Sequence, residues 1–175
     1  MPVVDTCILS SLAKIDRLSL LKIFKDCMIT PSVLNELDKN RIAGFKFVER
    51  IDEVLTLEKC EGKIRQISLD IDELKSAHKL REKYKLSLAD CECIVVSRDN
   101  RIILLTDDTY LTKIAIKEGV EKVYDLKDLL GACILKGVIE NTEELREIIS
   151  LLTERDYYEF SEINKRYLFS LFGKR

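Results

Sequence analysis

The sequence predicts an α/β domain of three layers, a central parallel sheet covered by helices on both faces, with further helices at its C-terminal end. Three observations predict it. Short apolar runs alternate with stretches of helical spacing along the chain. Residues 102–105, IILL, are four consecutive aliphatic side chains, the pattern of a strand buried on both faces, as parallel strands are. The apolar runs end in polar or acidic residues where the next helix begins, which is where open α/β sheets bind ligands.

The elements follow in order. PVV at 2–4 is a short strand running into Asp5 and Thr6, before a helical stretch carrying Ile8, Leu9, Leu12, Ile15 and Leu18. CMI at 27–29 is a second strand. Thr30 and Pro31 then open a helix, proline being suited to the first helical position, and Glu36 lies early in it. GFKFVERI at 44–51 predicts a short helix, and the β-branched VLTL at 54–57 an outer strand. Residues 70–85 predict a surface helix with Ile71, Leu74, Ala77, His78 and Arg81 on one stripe. Residues 87–97 predict another, opened by Ser87 with Asp90 three residues on, an acidic form of the capping box. After the IILL strand, Tyr110 to Ile116 is helical, EKVYDL holds an edge strand, and LKDLLGACILKGVI is a helix. Two amphipathic helices close the chain. Their stripes are Leu145, Ile148, Ile149 and Leu152, then Ile163, Tyr167, Leu168 and Leu171.

Composition narrows the function. The 175 residues suit one domain with a sizeable core. Lys and Arg number 29 against 31 Asp and Glu, so no bulk positive field argues for nucleic acid, and a basic footprint must be local. MPVVDTC lacks the basic segment and apolar core of a signal peptide, and no apolar run approaches the roughly 18 residues of a membrane span, so the expected location is the cytoplasm with no membrane partner. The six cysteines are then expected as thiols. Only Cys91 and Cys93 are close in sequence, a spacing that does not suit a closed zinc site.

The chemistry lies in the acids at strand ends. Asp5 follows the first strand, Glu36 lies after the second, Asp90 opens a helix, and Asp107 with Asp108 follows the buried IILL strand. Each alone can be a helix cap. Parallel topology would bring them to one rim, where acids converging on one point repel unless a cation neutralises them. Oxygen donors without a histidine cluster suit Mg²⁺ or Mn²⁺, ions that activate water and screen a phosphodiester.

Four segments, VVDTCILSSLAKI, ITPSVLNEL, LSLADCECIVVS and ILLTDDTYLTKIAIKEGV, resemble in order and spacing the PIN-domain ribonucleases, and in particular small prokaryotic PIN proteins such as the VapC-type toxins of toxin–antitoxin pairs. The resemblance implies a PIN-like, metal-dependent nuclease core over residues 1–136 and a helical extension over 137–175 packed on the same domain. It implies an endoribonuclease using Mg²⁺ or Mn²⁺, with Asp5, Glu36, Asp90 and Asp108 catalytic, and Asp5, Asp90, Asp108 and Asp107 as the metal-binding acids. Thr6 and Thr106 are similar to the polar residues lining such a site. Asp108 aligns with the final aspartate of a TxD turn, leaving Asp107 as cap or supporting acid, although the reverse assignment stays open. It also implies RNA as partner, a homodimer, and a small antitoxin protein. The alternative is a PIN fold serving as a non-catalytic nucleic-acid-binding or regulatory module. A haloacid-dehalogenase-type phosphatase fits less well, since DTC places Cys7 where its DxD motif needs a second acid.

For substrate contact the candidates are Lys39, Arg41 and Lys46, with Arg50 beyond them and Lys165, Arg166, Lys174 and Arg175 on the tail. No interleaving of aromatic and basic residues marks a single-strand stacking surface along the chain.

Overall fold

The structure, a computed structural model, describes residues 1–56 and 63–174. Five strands form one parallel sheet: β1 (Pro2–Val4), β2 (Asp26–Ile29), β3 (Lys63–Gln66), β4 (Ile103–Leu105) and β5 (Val123–Tyr124), in the order β3-β2-β1-β4-β5. Helices cover the sheet as a three-layer α/β/α arrangement. β1 is central and fully buried, and its proline sits at the first strand position, where a missing N–H is tolerated. Val3 pairs with Met28 on one side and Leu104 on the other.

The strand order sets the place of the site. The chain moves outward from β1 to β2 and β3, then crosses back to lay β4 on the opposite side of β1. Strand order therefore reverses between β1 and β4, and the crevice beyond their carboxyl ends is the ligand position of such sheets. Asp5 follows β1 there, and Thr106, Asp107 and Asp108 follow β4.

The helices are α1 (Thr6–Lys14), α2 (Pro31–Ile42), α3 (Phe47–Thr56), α4 (Ile71–Tyr84), α5 (Leu88–Asp99), α6 (Thr109–Lys117), α7 (Leu126–Leu135), α8 (Thr142–Asp156) and α9 (Glu162–Ser170). Asp5 caps α1, Thr30 caps α2 ahead of Pro31, and Ser87 with Asp90 forms the expected capping box of α5. α5 is buried along most of its length, from Ala89 through Ser97, and packs against β1, β4 and α4. Cys91 and Cys93 lie in that buried face, and the five described cysteines are free thiols. Cys60 lies outside the described residues, as does Arg175. No helix among the described residues is long and apolar enough to cross a membrane.

Two expectations need correction. Residues 54–56 of the expected VLTL strand are the last turn of α3, and Leu57 lies outside the described residues; the outer strand is β3, KIRQ. Helical context overrode the β-branched composition, as it does when one amphipathic face can be buried. On α4 the buried positions are Ala77 and Leu80, while Ile71 is 70% exposed and Leu74 is also exposed. Ile71 is the first helical residue, and the contact with α5 lies further along the helix.

The last two helices are held by apolar contacts. Leu145, Ile148 and Leu152 of α8 are buried, as are Leu168 of α9 and Leu171 after it, with α8 against α1 and α9 against α7. Ile163 and Tyr167 of the expected α9 stripe point to solvent.

Candidate functional site

Asp5 is the centre of the rim. Its carboxylate is almost fully buried, and it accepts from the Thr6 N–H (2.6 Å), the Cys7 thiol (2.9 Å) and the Thr106 hydroxyl (2.8 Å). The Asp5 N–H donates to the Leu105 carbonyl at 3.0 Å, so the sheet ladder itself fixes the backbone at this point. Thr6 continues the network by donating its hydroxyl to Glu36 at 2.7 Å, which links α1 to α2. Asp5 and Glu36 therefore both hang on Thr6.

Asp90 stands in the field of both. Burial first, and then the nearby charges of Asp5 and Glu36, push its carboxyl up to about 6 against the lowering effect of the Ser87 hydrogen bonds. The shift reports the burial of this carboxylate first and the negative charge gathered beside it second.

The TDD turn divides its acids differently from the expectation. Asp108 is the α6 N-cap: one oxygen accepts from the Tyr110 N–H (2.7 Å) and the Leu111 N–H (2.8 Å), and the residue is exposed. Asp107 turns toward the C-terminal part of the chain, where it accepts from the Leu126 N–H and the Tyr158 hydroxyl, both at 3.2 Å. Burial raises its carboxyl, the two hydrogen bonds lower it, and Asp125 and Asp156 raise it again. The capping role expected of Asp107 thus falls to Asp108. Thr106, fully buried, joins the turn to Asp5 by accepting from the Asp108 N–H at 3.2 Å while donating to Asp5.

The structure so brings Asp5, Glu36 and Asp90 into one electrostatic group, and Asp107 and Asp108 to its edge. Convergence on a single point is not what it shows. Among the described residues no three Asp, Glu, Cys or His side chains gather closely enough to grip one ion. The physical reason is visible in the hydrogen bonds, since each acid is drawn to its own donor: Glu36 to Thr6, Asp90 to Ser87, Asp108 to the start of α6.

Sequence reasoning missed three supporting residues. Cys7 donates to Asp5 and accepts from the Asp107 N–H (3.3 Å), and burial with the adjacent Asp5 charge pushes its thiol far above the ordinary range, so it acts as a neutral donor. Its place two residues after Asp5 was the available signal. Tyr158, the partner of Asp107, lies 51 residues away, with no local signal at all. Glu92 is buried and accepts from the Ser32 N–H (2.9 Å) and hydroxyl (2.7 Å), pinning the first turn of α2 to α5. It fixes the helices that carry Glu36 and Asp90 relative to each other.

Of the basic candidates, Arg41 is bound to Asp38 and Asp52 on the surface, and Lys39 is exposed on α2. Lys46 lines a groove of about 650 Å³ beside α3.

A family model described as a PIN domain matches residues 1–168, and the match includes the segments bearing Asp5, Glu36, Asp90 and the TDD turn. No curated protein and no solved structure matches the chain. The match spans nearly the whole sequence, and the parallel sheet with acids at its switch point agrees with it: the chain belongs to the PIN-domain family.

Proposed function

We propose that this protein is a metal-dependent endoribonuclease that cleaves RNA phosphodiester bonds at the rim of β1 and β4. The observation that carries the reading is the grouping of Asp5 and Glu36 on Thr6 at the switch point of the sheet, with Asp90 in the field of both and raised to about 6 by burial and their charge. The donor set fits a hard divalent cation, being carboxylates and hydroxyls with the adjacent Cys7 thiol kept protonated. Asp5, Asp90 and Glu36 would hold Mg²⁺ or Mn²⁺, with Asp108 as the fourth acid and Asp107 supporting; when bound, the ion supplies water activation and screening of the phosphodiester charge. Thr106 and Cys7 donate to Asp5 and aim its carboxylate, and Thr6 does the same for Glu36. Lys39 and Lys46, both exposed, are the candidates for substrate contact. On the resemblance to small prokaryotic PIN proteins alone, the proposal extends to a cytoplasmic homodimer acting as the toxin of a pair with a small antitoxin.

The separate hydrogen bonding of the acids favours a second reading, a non-catalytic module, and manganese decides between them. A nuclease site should raise the melting temperature by about 5 °C or more when manganese is at roughly a hundred times its dissociation constant. Asp5→Asn should lose that shift together with metal-dependent cleavage of single-stranded RNA. A wild-type protein whose melting is indifferent to manganese, and which leaves RNA intact, is the non-catalytic module. Light scattering that returns one chain per particle at all concentrations contradicts the homodimer.

A further inference from the structure

We infer that the groove between α1, α3 and the end of α8 is a stacking subsite for unpaired nucleic-acid bases, leading away from the acidic rim. Its walls carry Lys14, Phe45, Lys46, Arg50, Arg155 and Tyr157. These residues are scattered over more than 140 positions, and folding brings them into the interleaved aromatic and basic surface that the linear sequence does not display. The inference rests on the nuclease reading for its substrate class.

Charge is the first argument. Four cations line the groove against two carboxylates, those of Glu49 and Glu53, in a chain whose formal net charge is −2. Lys14 and Arg50 are partly committed, Lys14 to Asp156 and Arg50 to Asp16 and the Ala13 carbonyl. Lys46 and Arg155 are exposed, and neither is drawn into an ion pair among the described residues. A polyanion is the complementary occupant.

The aromatic rings are the second. Phe45 is 53% exposed and leans on Phe47, with ring centroids 5.9 Å apart and the planes tilted by 43°, so about half of it stays open to solvent. Tyr157 is 89% exposed and ends α8 in the left-handed region at φ 55°, a position that glycine fills most easily. A bulky ring there strains the backbone and gains almost no burial, so its place is not explained by folding. Exposed aromatic rings beside cations that no described residue pairs are what sequence-tolerant binding of single strands requires.

Continuity with the rim is the third. Lys14 also lines a second cavity of about 380 Å³ that includes Cys7, Asp107, Asp108 and Tyr158. α1 runs from its Asp5 cap to Lys14, about 13 Å along the axis, so a strand seated on the rings would reach the acids within a few nucleotides.

The test is fluorescence anisotropy with a short labelled single-stranded RNA of mixed sequence, in EDTA so that no cleavage occurs. Phe45→Ala and Tyr157→Gly should each weaken binding, by about 5- to 150-fold. Tyr157→Gly should melt at or above the wild-type temperature, so lost binding is not lost fold. The double variant Lys46→Glu with Arg155→Glu should flatten the dependence of log affinity on log salt, by about 0.7 for each phosphate contact removed. The groove is overturned if wild type does not bind in EDTA, if the ring variants bind unchanged, or if paired RNA of the same sequence binds as well. Equal displacement of the RNA by poly-glutamate also overturns it, in favour of an acidic protein segment. Loss of binding in the groove variants with no cleavage by wild type in manganese removes the nuclease reading and leaves the groove. Cleavage abolished by Asp5→Asn with the groove variants binding normally does the reverse.

Discussion

Asp90 couples the rim to pH. Its carboxyl is raised from the ordinary 3.8 to about 6, chiefly by burial and then by Asp5 and Glu36. Between those two values the folded state binds more protons than the unfolded one, so stability contributed at this position is full below pH about 4 and is lost as pH rises through about 6. Asparagine keeps an oxygen that can accept from the Ser87 N–H and carries no charge. Asp90→Asn should therefore match the wild-type melting temperature near pH 4 and exceed it above pH 6 in metal-free buffer. A difference that stays constant across that window would show that the Asp90 carboxyl is not raised in the folded protein. Thr106 is the other decisive residue, since its one hydroxyl serves Asp5 as donor and the Asp108 N–H as acceptor. Thr106→Val keeps the shape and leaves the buried Asp5 carboxylate and the Asp108 N–H each short of a hydrogen bond, at a cost of about 2 kcal/mol by urea unfolding.

Among the elements, α2 and α5 matter most because each presents one acid to the rim. The sequence made both starts legible: Thr30–Pro31 and the Ser87–Asp90 box are local signals, and the structure has both caps. What joins the two helices was not legible, because Glu92 meets Ser32 across 60 positions and nothing near either residue announces the pair. The same limit explains the TDD turn. Which aspartate caps α6 depends on where Tyr158 and the start of α7 lie, and those arrive from distant parts of the chain. Glu92→Ala strips the first turn of α2 of a buried acceptor for a backbone N–H and a hydroxyl, which should destabilise the fold by about 3 kcal/mol. Glu92→Gln should recover part of that, since its amide oxygen can still accept one of the two hydrogen bonds. If alanine and glutamine cost the same, the carboxylate oxygens are not what holds α2 in place.

At the scale of the whole molecule, the parallel sheet, its flanking helices and the rim that gathers the acids were legible in the alternation of apolar runs and in the acids that end them. The outer strand was not, because KIRQ pairs with β2 on one side only and has no continuous apolar run to mark it. The closing helices pose the question of whether they belong to the same cooperative unit. Asp156 at the end of α8 accepts from Ser11 and Lys14 of α1, both at 2.5 Å, and Tyr158 just beyond donates to Asp107 on the rim. Leu145, Ile148 and Leu152 are fully buried, so α8 completes the core beside α1 instead of lying over it. Removing a side chain from such a position costs about 2 to 5 kcal/mol, according to how far the site can collapse. If α8 belongs to the unit that contains the sheet, Leu152→Ala should lower the midpoint of a single transition by that amount. Helical circular dichroism and tyrosine fluorescence should coincide throughout, since Tyr157, Tyr158 and Tyr167 report on the closing helices and most of the helical signal comes from elsewhere. An early tyrosine transition that leaves most of the helical signal intact would make residues 137–174 a separable appendage. In that event the contact of Tyr158 with Asp107 would have to be maintained by a marginal element, and the rim would be coupled to local unfolding at the end of the chain.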